Sequence, residues 1–198
     1  MSLNRRQRAL IESGATHLGA GETFYVTPGA TFSADFTNSF KGAGTVVNKL
    51  GDAIGLVTAG RGDEIVLMPG MHTVDGNISL AKANCTVRGF LPGAPNSTIV
   101  VGDGDAGRSF LTLAADQCVV KDLTFVTAHA SDDCLTITGN YCTVLDSNFL
   151  AADAAGDGVV IDVTAAGGDD AASNTIKGCR FQGLTRSVVA LGDADGGT

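Results

Sequence analysis

The side chains in this chain that can do chemistry are few, and most are aspartates. Asp132 and Asp133 stand together in S-D-D-C-L-T-I at 131–137, and Asp157 sits between Gly156 and Gly158. Carboxylates that converge in an open groove are the groups for general acid and base work. An aspartate pair that only opens a strand satisfies local backbone amides as a turn. The choice depends on whether the fold brings the three together. Asp103 and Asp105, in G-D-G-D-A-G, begin like a calcium loop but lack the spaced third ligand and the closing glutamate, so a glycine-rich turn is expected there. His17, His72 and His129 have no partner at helical spacing and no C-x-x-C occurs, which leaves zinc without a ligand set. No phosphate loop, dinucleotide fingerprint or basic–aromatic interleaving is present. No metal and no cofactor is expected.

The scaffold for these groups is a chain of 198 residues, enough for one sizeable domain. Glutamate occurs only at positions 12, 22 and 64, tryptophan is absent and glycine numbers 27, a vocabulary of strands and turns rather than helices. The net charge of −8 argues against nucleic acid as a partner. That charge is uneven: residues 1–20 carry a net +2 from Arg5, Arg6, Arg8 and Glu12, whereas residues 101–198 carry 14 Asp against five Lys and Arg. No apolar run approaches the roughly 20 residues of a membrane span, and the N-terminus has no signal-like apolar stretch, so no membrane partner is expected. Five cysteines, an odd number without a signal peptide, read as reduced thiols.

Internal repetition gives the architecture. C-T-V-R-G-F at 85–90, C-V-V-K-D-L-T-F at 118–125, C-T-V-L-D-S-N-F at 142–149 and N-T-I-K-G-C-R-F at 174–181 are four copies of one unit. Leu80, Leu113 and Ile137 each end a short apolar strand five residues before a repeat cysteine. The intervals between copies are 33, 24 and 32 residues, and the excess falls in Gly-, Asp- and Ala-rich stretches. A turn of about 24 residues with insertions at one corner predicts a parallel β-solenoid of five or six coils. Stacking then places Cys85, Cys118, Cys142 and Asn174 in one inward ladder, and Phe90, Phe125, Phe149 and Phe181 in a second column. Ahead of the repeats, residues 52–59 predict a short amphipathic helix capping the first coil, and residues 65–68 the first strand, closed by Pro69 and Gly70.

The run A-I-G-L-V-T-A-G-R-G-D-E-I-V-L-M-P-G resembles the opening of pectate-lyase-like right-handed β-helices, where a capping helix precedes a G-D-x-I-x-x-x-P-G first strand. The resemblance covers about residues 22–191. It implies an all-β, single-stranded right-handed parallel β-helix with an N-terminal capping helix and an extended N-terminal arm. The layout is also similar to short β-helix virion proteins of tailed bacteriophages, in which F-Y-V, the A-I…G-R-G-D…M-P-G opening and C-x-V-x-x-x-x-F coils recur. That likeness implies a non-enzymatic particle protein located in the virion. A capsid decoration or cement protein is expected over a tail fibre or spike component, because the chain is short and shows no receptor-binding tip. Its partners would be the major capsid protein or tail proteins and further copies of itself, as a homotrimer.

The chain divides on this reading into an arm, 1–45, and a β-helix domain, 46–198. Arg5, Arg6 and Arg8, with Leu10 and Ile11 on the apolar side of a short helix, are the candidate docking residues of the arm. S-V-V-A-L at 187–191 reads as the first strand of a further coil, which a partner or the glycine-rich end would protect. The alternative function is a polysaccharide lyase or hydrolase. S-D-D-C-L-T-I is similar to the D-D-C-x-x-I of polygalacturonases, whose paired aspartates supply a general acid and activate water, which would assign Asp132, Asp133 and Asp157. The family's G-H-G is G-D-G here, its N-T-D is missing, and its R-I-K is replaced by T-R-S near 185. A pectate-lyase arrangement would instead group Asp132, Asp157 and Asp162 with Arg180 or Arg186.

Overall fold

A computed structural model of the chain describes residues 21–28, 44–74, 76–102, 109–127, 129, 131–151, 156–162 and 173–191. Two strands come first, β1 (Thr23–Val26) and β2 (Thr45–Val47), followed by the helix α1 (Leu50–Leu56). Five rounds of three strands follow. They are β3 (Glu64–Leu67), β4 (Gly70–Val74) and β5 (Ile78–Leu80); β6 (Thr86–Gly89), β7 (Thr98–Gly102) and β8 (Ser109–Leu113); β9 (Val119–Lys121), β10 (Thr124–Thr127) and β11 (Asp133–Ile137); β12 (Thr143–Leu145), β13 (Asn148–Ala151) and β14 (Asp157–Asp162); and β15 (Thr175–Lys177), β16 (Arg180–Gln182) and β17 (Arg186–Leu191). Every third strand pairs in parallel, giving sheets ordered β15-β12-β9-β6-β3-β1-β2, β16-β13-β10-β7-β4 and β17-β14-β11-β8-β5. The chain is a right-handed parallel β-helix of five coils.

The corners explain how such short strands close a coil. A single left-handed residue turns the chain from the third sheet into the first, Asn84, Gln117, Tyr141 and Ser173 at φ 56° to 59°, and Gly62 at φ 77° takes the equivalent place between α1 and β3. Asp122, Asp146 and Gly178 do the same between the first and second sheets. At Gly178, φ 69°, a Cβ would stand 2.1 Å from Asp146 Oδ1, so any larger residue there would have to displace that carboxylate.

Alternation along the first sheet sends Phe24, Ile65, Val87, Val120, Val144 and Ile176 inward in register. Cys85, Cys118 and Cys142 are fully buried at the corner before that sheet. The carbonyl of each accepts the amide of the next coil, from Val119, Thr143 and Thr175 at 2.9 Å. Asn174 stands next along, its Oδ1 accepting the Cys142 amide at 2.7 Å and its Nδ2 donating to Gly139 O at 3.1 Å. Phe125, Phe149 and Phe181 stack with centroids 5.2 and 5.1 Å apart. Phe90 does not join them. It lies five residues after Cys85 where the others lie seven after their ladder residue, and the segment carrying the 3-10 turn Pro95–Ser97 intervenes before β7. Val100 and then His72 fill the column below Phe125.

The cap differs from expectation in extent. Leu50, Ala53 and Ile54 face the first coil at helical spacing, each large one contributing roughly 1.5–3 kcal/mol of burial. The helix ends at Leu56 because Val57 is already extended, at φ −68° and ψ 148°, carrying Thr58 toward Asp63. A boundary at residue 45 also cuts the first sheet: β1 belongs to the body, hydrogen-bonded between β2 and β3.

Candidate functional site

On the third sheet, the rung that opens each strand reads Ser109, Asp133, Asp157 and Arg186 across β8, β11, β14 and β17. Neighbouring rungs are about 4.8 Å apart, so side chains of this column touch. Gly156, at φ 64°, makes the approach to Asp157 possible, since a Cβ there would stand 2.0 Å from Asp132 O. The Asp157 amide then donates to that same carbonyl at 3.1 Å.

Arg186 clamps Asp157 with two bonds, Nε to Oδ1 at 3.0 Å and Nη2 to Oδ2 at 2.6 Å, and Asp157 is buried while Arg186 is mostly exposed. This is the bidentate geometry that makes arginine–carboxylate pairs strong. Asp133 lies beside the pair and accepts no hydrogen bond among the described residues. Burial first, then the charge of Asp157, raises its carboxyl to about 6, against the pull of Arg186. Together these side chains line a cavity of about 300 Å³ whose other walls are Ser131, Thr185, Val160, Val189 and Leu191. A carboxyl whose proton is held to about pH 6 thus faces a carboxylate bound by an arginine, a pairing suited to proton transfer in mildly acidic solution.

Of the three aspartates marked in the sequence, the structure brings together Asp133 and Asp157. Asp132 is buried and takes no part in the cavity wall. Asp162 pairs in register with Leu191 at the far end of β14, and Arg180 bonds Gln182 on the second sheet. The cation at the site is therefore Arg186. Arg5, Arg6, Arg8, Leu10 and Ile11 lie outside the described residues. Cys85, Cys118, Cys142, Phe125 and Phe149 are packed in the solenoid interior, Asn174, Phe90 and Phe181 are half-buried, and burial pushes the Cys85 thiol up to about 11, away from reactivity. Among the described residues no group of three His, Cys, Asp or Glu could hold a metal ion, and no helix is long and apolar enough to cross a membrane.

One charged residue with a structural task escaped the sequence reading. Asp63 occupies the ladder position before Cys85 and is fully buried. Its Oδ1 accepts the Glu22 amide at 2.8 Å and Arg61 Nε at 2.7 Å, and its Oδ2 accepts the Thr58 amide at 2.7 Å and Arg61 Nη2 at 2.8 Å. Burial opposes ionisation, but Arg61 and the two amides outweigh it and hold the carboxyl below its ordinary value. The signal was the repeat itself, which places Asp63 where the other coils have Cys or Asn.

No protein-family model matches the chain, and no curated protein matches it. Among solved structures, the chain is similar to a crystal structure of a pectin methylesterase mutant in complex with a hexasaccharide, with a TM-score of 0.54 at 15% identity. The match covers 79% of this chain and 48% of that one, so this chain spans about half the length of its neighbour. At that identity the likeness shows the fold, a pectate-lyase-like parallel β-helix.

Proposed function

We propose that the chain is a non-enzymatic structural protein of a tailed bacteriophage particle, a capsid decoration or stabilising protein held by its basic N-terminal segment and acting as a homo-oligomer, with a trimer expected. The observation that supports this reading is what recurs from coil to coil. The buried thiol ladder, the phenylalanine stack and the left-handed corner residues all serve packing, and the layout of coils behind a helical cap is the one that resembles virion proteins. A basic tip on an acidic body suits electrostatic docking to an acidic surface. The test is the mass of the native assembly by light scattering, followed by cryo-electron microscopy of particles carrying the protein. Deleting residues 1–20 should abolish incorporation while leaving the melting temperature of the body unchanged; normal incorporation of the truncated chain overturns the reading.

A second reading has one observation in its favour, the cavity in which Asp133 meets Asp157. It is acid–base chemistry on a polysaccharide, with Asp133 as the acid and Asp157, oriented by Arg186, as the base or nucleophile. Incubation with acidic and neutral polysaccharides, read by new reducing ends or released acid, distinguishes the two. Turnover that disappears in both Asp133→Asn and Asp157→Asn would establish the enzyme, and no turnover in the wild type removes it.

A further inference from the structure

A second cavity, of about 280 Å³, opens near the other end of the solenoid, between the entry to α1 and β4. Pro28, Leu50 and Met71 form its apolar side, and Asn48, Lys49, Thr73 and His72 its polar side. Met71 stands at the rim, 62% exposed, whereas His72 is 5% exposed at the foot of the aromatic column. The His72 Nε2 lies 2.8 Å from Met68 O, and because a carbonyl only accepts, Nε2 carries the proton. Burial lowers the affinity of this imidazole for a second proton, so Nδ1 is a bare acceptor near neutrality. No described residue donates to Nδ1. Yet among the described residues no sealed side-chain nitrogen or oxygen lacks a partner, so Nδ1 is not sealed, and His72 is one of the residues that line the cavity.

We propose that this cavity binds an aromatic ring carrying one hydrogen-bond donor, a phenol or an indole, with the donor on His72 Nδ1 and the ring against Pro28, Leu50 and Met71. The aliphatic walls and the Met71 thioether favour a ring face or edge. The unpaired acceptor discriminates, because an apolar ring without a donor would bury Nδ1 without a partner. Size permits it: a cavity of about 150 Å³ is enough for benzene, and this one leaves room for a substituent. The ring has two possible sources of the same chemistry. It is either a free small molecule or the side chain of Tyr141 from a second copy, which is 60% exposed and held at φ 56° on a corner. The site stands independently of the virion reading.

The full chain would be titrated with p-cresol, indole and toluene while the His72 ring nitrogens are followed by long-range ¹H–¹⁵N NMR. A saturable movement of Nδ1 toward the hydrogen-bonded range with p-cresol or indole is expected, with toluene about ten-fold weaker or more. Equal affinity for toluene, or an unmoved Nδ1 at saturation, overturns the proposal. Because replacing His72 endangers the fold, Met71→Ser provides a second test on an exposed position. Several-fold weaker p-cresol binding at an unchanged melting temperature is expected, and undiminished binding counts against the site. A wild-type Nδ1 shift that grows with protein concentration and vanishes in Tyr141→Phe identifies the ring as a second copy's. Its absence, with p-cresol still bound, identifies the ring as a free ligand.

Discussion

Two aspartates on this chain meet opposite environments. Asp63 is sealed under the cap with four donors on its two oxygens, whereas Asp133 borders a cavity and receives none from the described residues. Removing the first leaves the Glu22 and Thr58 amides without this acceptor and Arg61 with Glu22 alone, and each buried donor left unsatisfied costs about 1–3 kcal/mol. Asp63→Ala is therefore expected to lower the urea midpoint sharply, and Asp63→Asn to recover only part of the loss. An unchanged midpoint in Asp63→Ala would mean that the cap is not stitched to the first coil through this carboxylate. The sequence motif marked Asp132 and Asp133 as a pair but could not say which one faces outward. Cys134 and Leu135 both enter the core at the corner, so simple alternation fails there. The sequence offered Arg186 only as an alternative to Arg180, because the extra residues 163–172 obscure its place in the repeat.

At the scale of strands and columns, the repeat was a dependable guide wherever its spacing held. Cysteine to phenylalanine is seven residues in the third and fourth coils and Asn174 to Phe181 is also seven, and those three rings stack. The spacing to Phe90 is five, and Phe90 falls outside the column. The energetics should follow the column rather than the residue type. Phe149 is fully buried between two rings, so Phe149→Ala should cost about 3–5 kcal/mol by cavity formation alone. Phe90, partly buried and outside the column, should cost less than half as much in Phe90→Ala. Chemical denaturation of both variants checks the ranking, and equal losses would contradict the column as the unit of packing. The helix was legible as a short amphipathic cap but not in its bounds: expected at 52–59, it spans Leu50–Leu56, and the Thr58 amide beyond it is taken by Asp63.

In the whole molecule the titrating groups act against one another, and this shapes stability with pH. His72 holds its folded pKa below 6.5, so the unfolded chain binds its proton first and stability falls as pH drops below about 6.5. Asp133 has the opposite sign. Its folded value, about 6, lies above the ordinary 3.8, so the native state binds the proton first and stability rises as pH falls from about 6 toward 4. A shift of that size corresponds to at most roughly 3 kcal/mol. Asp63, held below its ordinary value, adds stability that is kept above pH 4 and lost as pH falls through its lowered folded value. Between pH 6.5 and 4 the His72 and Asp133 slopes oppose each other in the wild type. Asp133→Asn removes only the compensating slope. The variant should be more stable than the wild type at pH 7, by roughly 1–3 kcal/mol, and should lose that advantage by pH 4. Melting curves of both proteins from pH 3 to 8 measure it directly. Parallel profiles would show that Asp133 titrates like a solvent-exposed aspartate, and with that the acid proposed for proton transfer in the cavity would be gone.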